Sequence, residues 1–395
     1  MTAPDPVAAQ LNQQGLASLR AGDWAAAARS FEGAAARDPK SSALWRNLAT
    51  ACRAGGDGAG ELRALDAALD ADRRDILAWI RKAETHQRLD QRGDAFTAWS
   101  NALSLEQMAG GVPDALKQLL EQGRAFVAEG TGRMREAADA ALAPMRGGLD
   151  ETAARRTAAF VDHALGARPI YANQCAGLHY PFLPADEFFD HRHFPWFDAI
   201  EARAPAIRAE LGALLADPGE SLRPYVRMEK GLPDNLWSGL DNSLDWGACF
   251  LWEYGGPNRA VLDRCPETAA ALAEAPLAPI PGRSPSALFS ILKPGKRIPP
   301  HTGVTNTRAI VHLPLIVPPG CGFRVGGETR EWVEGRAFAF DDTIEHEAWN
   351  DSDRMRAVLI FDVWNPHLSP GEQEAIIRYY QAADSTGFGP ARGTG

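Results

Sequence analysis

Long apolar runs are missing from this sequence. Nowhere in its 395 residues do 18 apolar residues follow one another, so no segment qualifies as a membrane-spanning helix. Cysteine is scarce. The five that occur, Cys52, Cys175, Cys249, Cys265 and Cys321, are odd in number, far apart and never in a CxxC pair. That fits free thiols in a reducing compartment, and neither a zinc site nor a disulfide framework. Positive charge is in deficit, with 41 Lys and Arg against 51 Asp and Glu and a net charge of −10. A broad basic surface for nucleic acid is therefore not expected. The opening "MTAPDPVAAQLNQQ" has neither the basic nor the apolar stretch of a secretory signal, so no signal peptide and a cytoplasmic location are expected. What is present is ordinary globular material, 45% apolar and 23% charged, long enough for two or three domains.

The first hundred residues repeat themselves. Leu11, Trp45 and Trp79 lie 34 apart, as do Phe31, Leu65 and Trp99, Ala34, Ala68 and Ala102, and Gly15, Ala49 and Ala83. Ala27 and Ala95 share a fifth column, in which Glu61 is the exception. This order of large, small and aromatic residues at a period of 34 resembles the tetratricopeptide repeat. Gly22–Asp23 and Gly56–Asp57 fall where the turn inside each helical hairpin should lie, and Pro39 where the first repeat should end. The resemblance covers residues 7–107 and implies stacked hairpins with a concave face, available to a protein partner or merely packed. Residues 108–168 read as connecting helices, with a breaker near Gly110–Pro113.

Beyond Arg168, Pro, Trp, Phe and Tyr become frequent. The pair His191 and His193 sits among bulky, acidic, Pro-bounded neighbours, which favours packing over ligation. From Ala287 the chain reads as short strands, 287–292, 308–317, 322–325, 330–333, 336–340 and 356–364, separated by Gly and Pro. Many short strands at close spacing suggest a sandwich or jelly roll. His301 follows a Pro-Pro pair at a strand entry, and His346 lies 45 residues later. In a double-stranded β-helix two such histidines would meet at the barrel mouth, where neutral imidazoles suit a first-row divalent metal. The residue two after His301 is Gly303, which cannot bind metal. Arg356 follows on the next strand, and its planar fork suits a carboxylate.

These stretches together carry a second resemblance. "FSILKPG" (289–295), "HTGVTNTRAIVHL" (301–313), "PPGCGFRV" (318–325), "WVEGRAFAFDDTIEHEAWN" (332–350) and "RAVLIFDVWNPHLS" (356–369) are similar to the aspartyl/asparaginyl β-hydroxylase family of iron(II)- and 2-oxoglutarate-dependent dioxygenases. "CPET" (265–268) and "YPFLP" (180–184) look like its upstream markers. The resemblance spans roughly residues 170–370. It implies an α + β multidomain chain, with the helical repeats followed by a double-stranded β-helix of the jelly-roll or cupin-like kind at 169–385 and a flexible tail at 386–395.

The same resemblance implies roles. His301 and His346 would bind iron, with Gly303 at the vacated carboxylate position and water in its place. Ser290 and Arg356 would grip the distal carboxylate of 2-oxoglutarate, His312 would sit near its iron-side end, and Trp252 would line the pocket. Arg308 would face substrate or cosubstrate. Asp342 would orient the turn or a ligating imidazole, and Asn306 would fix the loop after His301. Arg324 and Arg336 read as solvated. Two positions depart from the animal enzymes, in which Ile310 is a second arginine and Leu288 a lysine. The implied activity is O2-dependent hydroxylation of an unactivated C–H bond on an Asp or Asn side chain of a peptide, or on a related small molecule, with succinate and CO2 as coproducts. Two rivals stay open: a lipid-linked acyl chain or free amino acid as substrate, and a non-catalytic repeat-based adaptor with a degenerate β module.

Overall fold

A computed structural model of the chain describes residues 5–231 and 233–387. The chain divides between Leu165 and Gly166 into two compact units. The last residues of the expected tail, 388–395, lie outside the described residues.

The first unit is entirely helical. Three helical hairpins follow one another: α1 (Pro6–Arg20) with α2 (Trp24–Arg37), α3 (Ser42–Ala54) with α4 (Gly58–Ala71), and α5 (Ile76–Arg88) with α6 (Arg92–Ala109). They are succeeded by the long α7 (Asp114–Arg146) and by α8 (Glu151–Ala164). The period of 34 has a packing cause. Ala34, Ala68 and Ala102 are fully buried, and a Cβ on Gly15 would lie 2.6 Å from the ring of Phe31. The small column makes room for the large one. Each hairpin turn holds a left-handed residue at the same phase, Gly22, Gly56 and then Asp90, with φ of 79°, 76° and 53°. Asp23 and Asp57 follow as N-caps, accepting bonds from the backbone N–H of Ala26 and Gly60. Glu61, the exception in its column, is buried and held by Arg88 at 2.5 Å. This unit is a tetratricopeptide-repeat array.

The second unit is built on two antiparallel sheets. Its strands are β1 (Arg223–Pro224), β2 (Trp246–Glu253), β3 (Gly256–Pro257), β4 (Ala287–Leu292), β5 (Lys296–His301), β6 (Arg308–Ile316), β7 (Cys321–Val325), β8 (Glu328–Arg330), β9 (Phe338–Phe340), β10 (His346–Asn350) and β11 (Arg356–Trp364). The larger sheet runs β1-β2-β4-β11-β6-β9 with β3 on β2, and the smaller runs β5-β10-β7-β8. One face of the larger sheet, through Phe289, Leu313 and Leu359, packs with residues of α9 (Phe197–Ala202), α10 (Ala204–Ala216) and α12 (Pro266–Glu274). Between α9–α10 and β4 the chain also makes the short α11 (Arg259–Leu262). Side chains from both sheets, among them Trp246, Phe323, Phe340 and Val358, form a second core. A terminal helix, α13 (Pro370–Ser385), opens with a capping box between Ser369 and Glu372. Among the described residues no helix is long and apolar enough to cross a membrane.

Five strands lie where the sequence reading had none: β1, β2, β3, β5 and β10. The Pro299–Pro300 pair in β5 reads as a loop, yet β5 is the edge of its sheet, where a missing N–H is tolerated. The strand expected at 330–333 is displaced to β8, and Trp332 turns inward from the loop behind it. The ring of His191 packs on Phe197, and that of His193 lies 5.2 Å from His367.

Candidate active site

His301 ends β5 and His346 begins β10, and the two are direct partners in the antiparallel register. Their rings stand 4.1 Å apart. Each is oriented by its own backbone, with Nδ1 of His301 donating to the carbonyl of Pro299 at 2.8 Å and Nδ1 of His346 to that of Ile344 at 3.0 Å. A carbonyl only accepts, so the proton sits on Nδ1 and Nε2 carries a free lone pair. Burial lowers the pKa of both rings, that of His346 to well below its usual value with His301 adding to the effect. Two adjacent neutral imidazoles, each with a free Nε2, could hold a divalent metal. Among the described residues no group of three or more His, Cys, Asp or Glu is arranged to hold one, so any protein-derived ligand set here is the histidine pair.

Gly303 adjoins this pair, and its N–H donates to the Asp342 carbonyl at 2.6 Å. A Cβ at 303 would lie 2.1 Å from Oδ2 of Asp342. The carboxyl group of Asp342 therefore stands in the space that a side chain at 303 would need. Its Oδ1 is buried without a partner. Burial, set against the attraction of Arg308, pushes its pKa up to about 7.

A cavity of about 380 Å³ opens beside the histidines between the two sheets, a size suited to a small molecule. Ser290, His312 and Arg356 line it. Arg356, 1% exposed, donates from Nη1 to Ser290 Oγ at 3.3 Å and stacks 4.6 Å above the ring of Trp332. Its Nε has no partner, and no carboxylate pairs with it among the described residues. Burial lowers its pKa to about 9. Ser290 Oγ accepts from Arg356 and from Trp246 Nε1 at 3.0 Å, which leaves its own hydrogen free to donate. His312 Nδ1 is buried and unpartnered, and burial with Arg356 and His346 holds the ring neutral. Buried polar atoms without partners are rare in folded proteins. Two of them, Arg356 Nε and His312 Nδ1, with the free hydroxyl hydrogen of Ser290 could cradle an anionic ligand.

The remaining expected residues divide. Arg308 reaches the cavity but is ion-paired with Asp362. Burial works to lower its pKa, and Asp362 and Asp342 raise it by more. Asn306 clamps the loop after His301, accepting from the Tyr180 N–H at 2.7 Å and donating to its carbonyl at 2.9 Å. Leu288 and Ile310 line the cavity and give it apolar walls. Trp252 does not line it. A β-bulge between Phe250 and Trp252 changes the facing of β2, and Trp252 pairs with Ala287 and packs on the helix-side core. The indole that β2 sends into the cavity is Trp246, joined by Trp237 and by Tyr225, whose ring stacks on Trp246 at 3.9 Å. These aromatics carry no motif, and a period-2 count along β2 starting from Ser290's partner Ala248 would have pointed to Trp246.

A profile of the aspartyl/asparaginyl β-hydroxylases matches residues 201–366. The mouse aspartyl/asparaginyl β-hydroxylase is 39% identical over 134 residues, 33% of this chain and 18% of that protein. The ornithine lipid ester-linked acyl 2-hydroxylase of Rhizobium tropici is 36% identical over 196 residues, 49% of this chain and 66% of that protein. This chain thus spans less than a fifth of the mouse relative it matches. Among solved structures, the tetratricopeptide domain of Sgt2 from Aspergillus fumigatus is 23% identical, covering 32% of this chain and 83% of that one with a TM-score of 0.29. Over residues 201–366 this chain matches the aspartyl/asparaginyl β-hydroxylase family.

Proposed function

We propose that the chain is an iron(II)- and 2-oxoglutarate-dependent hydroxylase acting on an unactivated C–H bond. The observation that carries this reading is the adjacency of two features: a neutral histidine pair with free Nε2 atoms, and a carboxylate cradle with unpartnered donors. His301 and His346 would hold iron(II), which when bound supplies the activation of O2. Arg356, Ser290 and His312 would bind and orient the dicarboxylate, with its distal carboxylate on the buried guanidinium and its other end toward the neutral histidines. Asp342 stands next to the position vacated at Gly303 and can accept or hold a proton there near neutral pH. The apolar walls exclude water from the reacting end.

For the substrate, an Asp or Asn side chain of a peptide or a related small molecule is the reading the family supports. A lipid-linked acyl chain is the second reading, and Leu288 and Ile310 favour it, because the other cations lining the cavity, Arg308 and Arg283, are already paired with Asp362 and Asp384. The name of the Rhizobium relative points the same way. The repeat array offers a surface for a peptide or protein partner. The test is stoichiometric succinate release from 2-oxoglutarate, with mass spectrometry of peptide and acyl-lipid candidates for a gain of one oxygen atom. Undiminished turnover in His346→Ala would sink the proposal.

A further inference from the structure

The cavity contains two buried indoles in different states. Trp246 gives its N–H to Ser290 Oγ at 3.0 Å. Trp332, only 7% exposed, has an Nε1 with no hydrogen-bond partner at all. An indole N–H can only donate, so folding has removed it from water without return. Its surroundings say what acceptor it lacks. Arg356 lies 4.6 Å above its ring and His312 5.6 Å from it, and each of these also carries an unpartnered buried nitrogen. Two side chains packed against this ring thus carry orphaned nitrogens of their own. The same wall carries Ile310, two residues from His312 on β6, where a cation is absent.

Resting on the 2-oxoglutarate reading above, we propose that Trp332 is a binding residue for the cosubstrate. Its Nε1–H donates to the distal carboxylate held by Arg356 and replaces part of the grip that a cation at position 310 would give. A carboxylate has lone pairs enough for Arg356, Ser290 and Trp332 together. A neutral N–H also adds no charge repulsion beside a guanidinium that burial already disfavours.

The experiment is calorimetric titration of the full chain, loaded with iron(II) and kept free of O2, with 2-oxoglutarate and with pyruvate, a keto acid lacking the distal carboxylate. Trp332→Phe keeps the ring and removes the N–H. The expected result is a loss of about tenfold in affinity for 2-oxoglutarate, no change for pyruvate, and a melting temperature without ligand that is equal or higher. Unchanged 2-oxoglutarate affinity overturns the proposal, as does an equal loss for both ligands with a lower melting temperature. A second measurement needs no variant: one solvent-shielded indole N–H resonance of the unaltered protein shifts with 2-oxoglutarate and not with pyruvate, and absence of such a shift overturns the proposal. If the unaltered protein binds no 2-oxoglutarate, the cosubstrate reading itself fails.

Discussion

The carboxyl group of Asp342 fills the space that a side chain at Gly303 would need: a Cβ at 303 would lie 2.1 Å from Asp342 Oδ2. Glycine here is a packing requirement as well as the absence of a ligand. Gly303→Ala is expected to displace Asp342 and to cost about 1–3 kcal/mol of stability, read as a lower melting temperature. If Ala is accepted without loss, the close approach is not a constraint. Gly303→Asp alone is expected to do worse, since it sets two carboxyls together.

The histidine pair makes a prediction about metal. His301→Ala and His346→Ala should each lower iron(II) affinity at least a hundredfold, because a single imidazole with no third protein ligand holds a first-row metal weakly. Metal titration by calorimetry reads this directly. Since the fold rests on the two cores, far-ultraviolet circular dichroism of both variants should match the parent.

Arg356 is a buried cation with no carboxylate beside it among the described residues. Such a group opposes folding until its ligand arrives. Arg356→Leu should therefore stabilise the ligand-free chain by about 1 kcal/mol or more, read as a higher melting temperature, while abolishing 2-oxoglutarate binding. Arg356→Lys should restore the charge and little of the affinity, having lost the planar fork. A destabilised Leu variant would contradict the reading of Arg356 as an unsatisfied group.

Protons act on this site in two directions. His312 has a folded pKa well below the usual 6.5. The unfolded chain takes up its proton first, so this contribution is present above pH 6.5 and is lost as pH falls through that value. Asp342 runs the other way, at about 7 folded against 3.8 ordinarily. The folded chain holds that proton more tightly, so stability is lost as pH rises from about 4 to about 7. Asp342→Asn cannot ionise. It should gain nothing over the parent near pH 4 and most above pH 7, by up to about 4 kcal/mol. Thermal denaturation across that range checks the trend, and a gain independent of pH would refute it.

Much of this was legible in the sequence, for reasons that differ by region. The repeat declared itself because its columns are set by size, Ala34 against Phe31, and size is written in every unit. The histidines and Arg356 were legible because strand ends and Gly–Pro turns frame them. Trp252, placed in the pocket through the resemblance, faces the helix side instead, because a bulge in β2 turns it there and leaves no mark in composition. The partner of Arg308, Asp362, lies 54 residues away, and only the pairing of β6 with β11 joins them. Arg324, read as solvated, is bound to Glu345 at 2.9 Å and Glu347 at 2.5 Å across β7 and the start of β10. Arg336, read the same way, does remain two-thirds exposed while pairing with Glu201.

The extra residue in β2 also makes chain length a determinant of specificity. Before it, Ala248 and Phe250 stand opposite Ser290 and Leu288; after it, Trp252 stands opposite Ala287 on the helix side. Removing one residue at Leu251 would rotate the end of the strand by half a turn and swing a full indole toward the cavity mouth. A family built on this sheet can thus exchange a whole wall of its pocket through a one-residue insertion or deletion, leaving the histidines, Ser290 and Arg356 untouched.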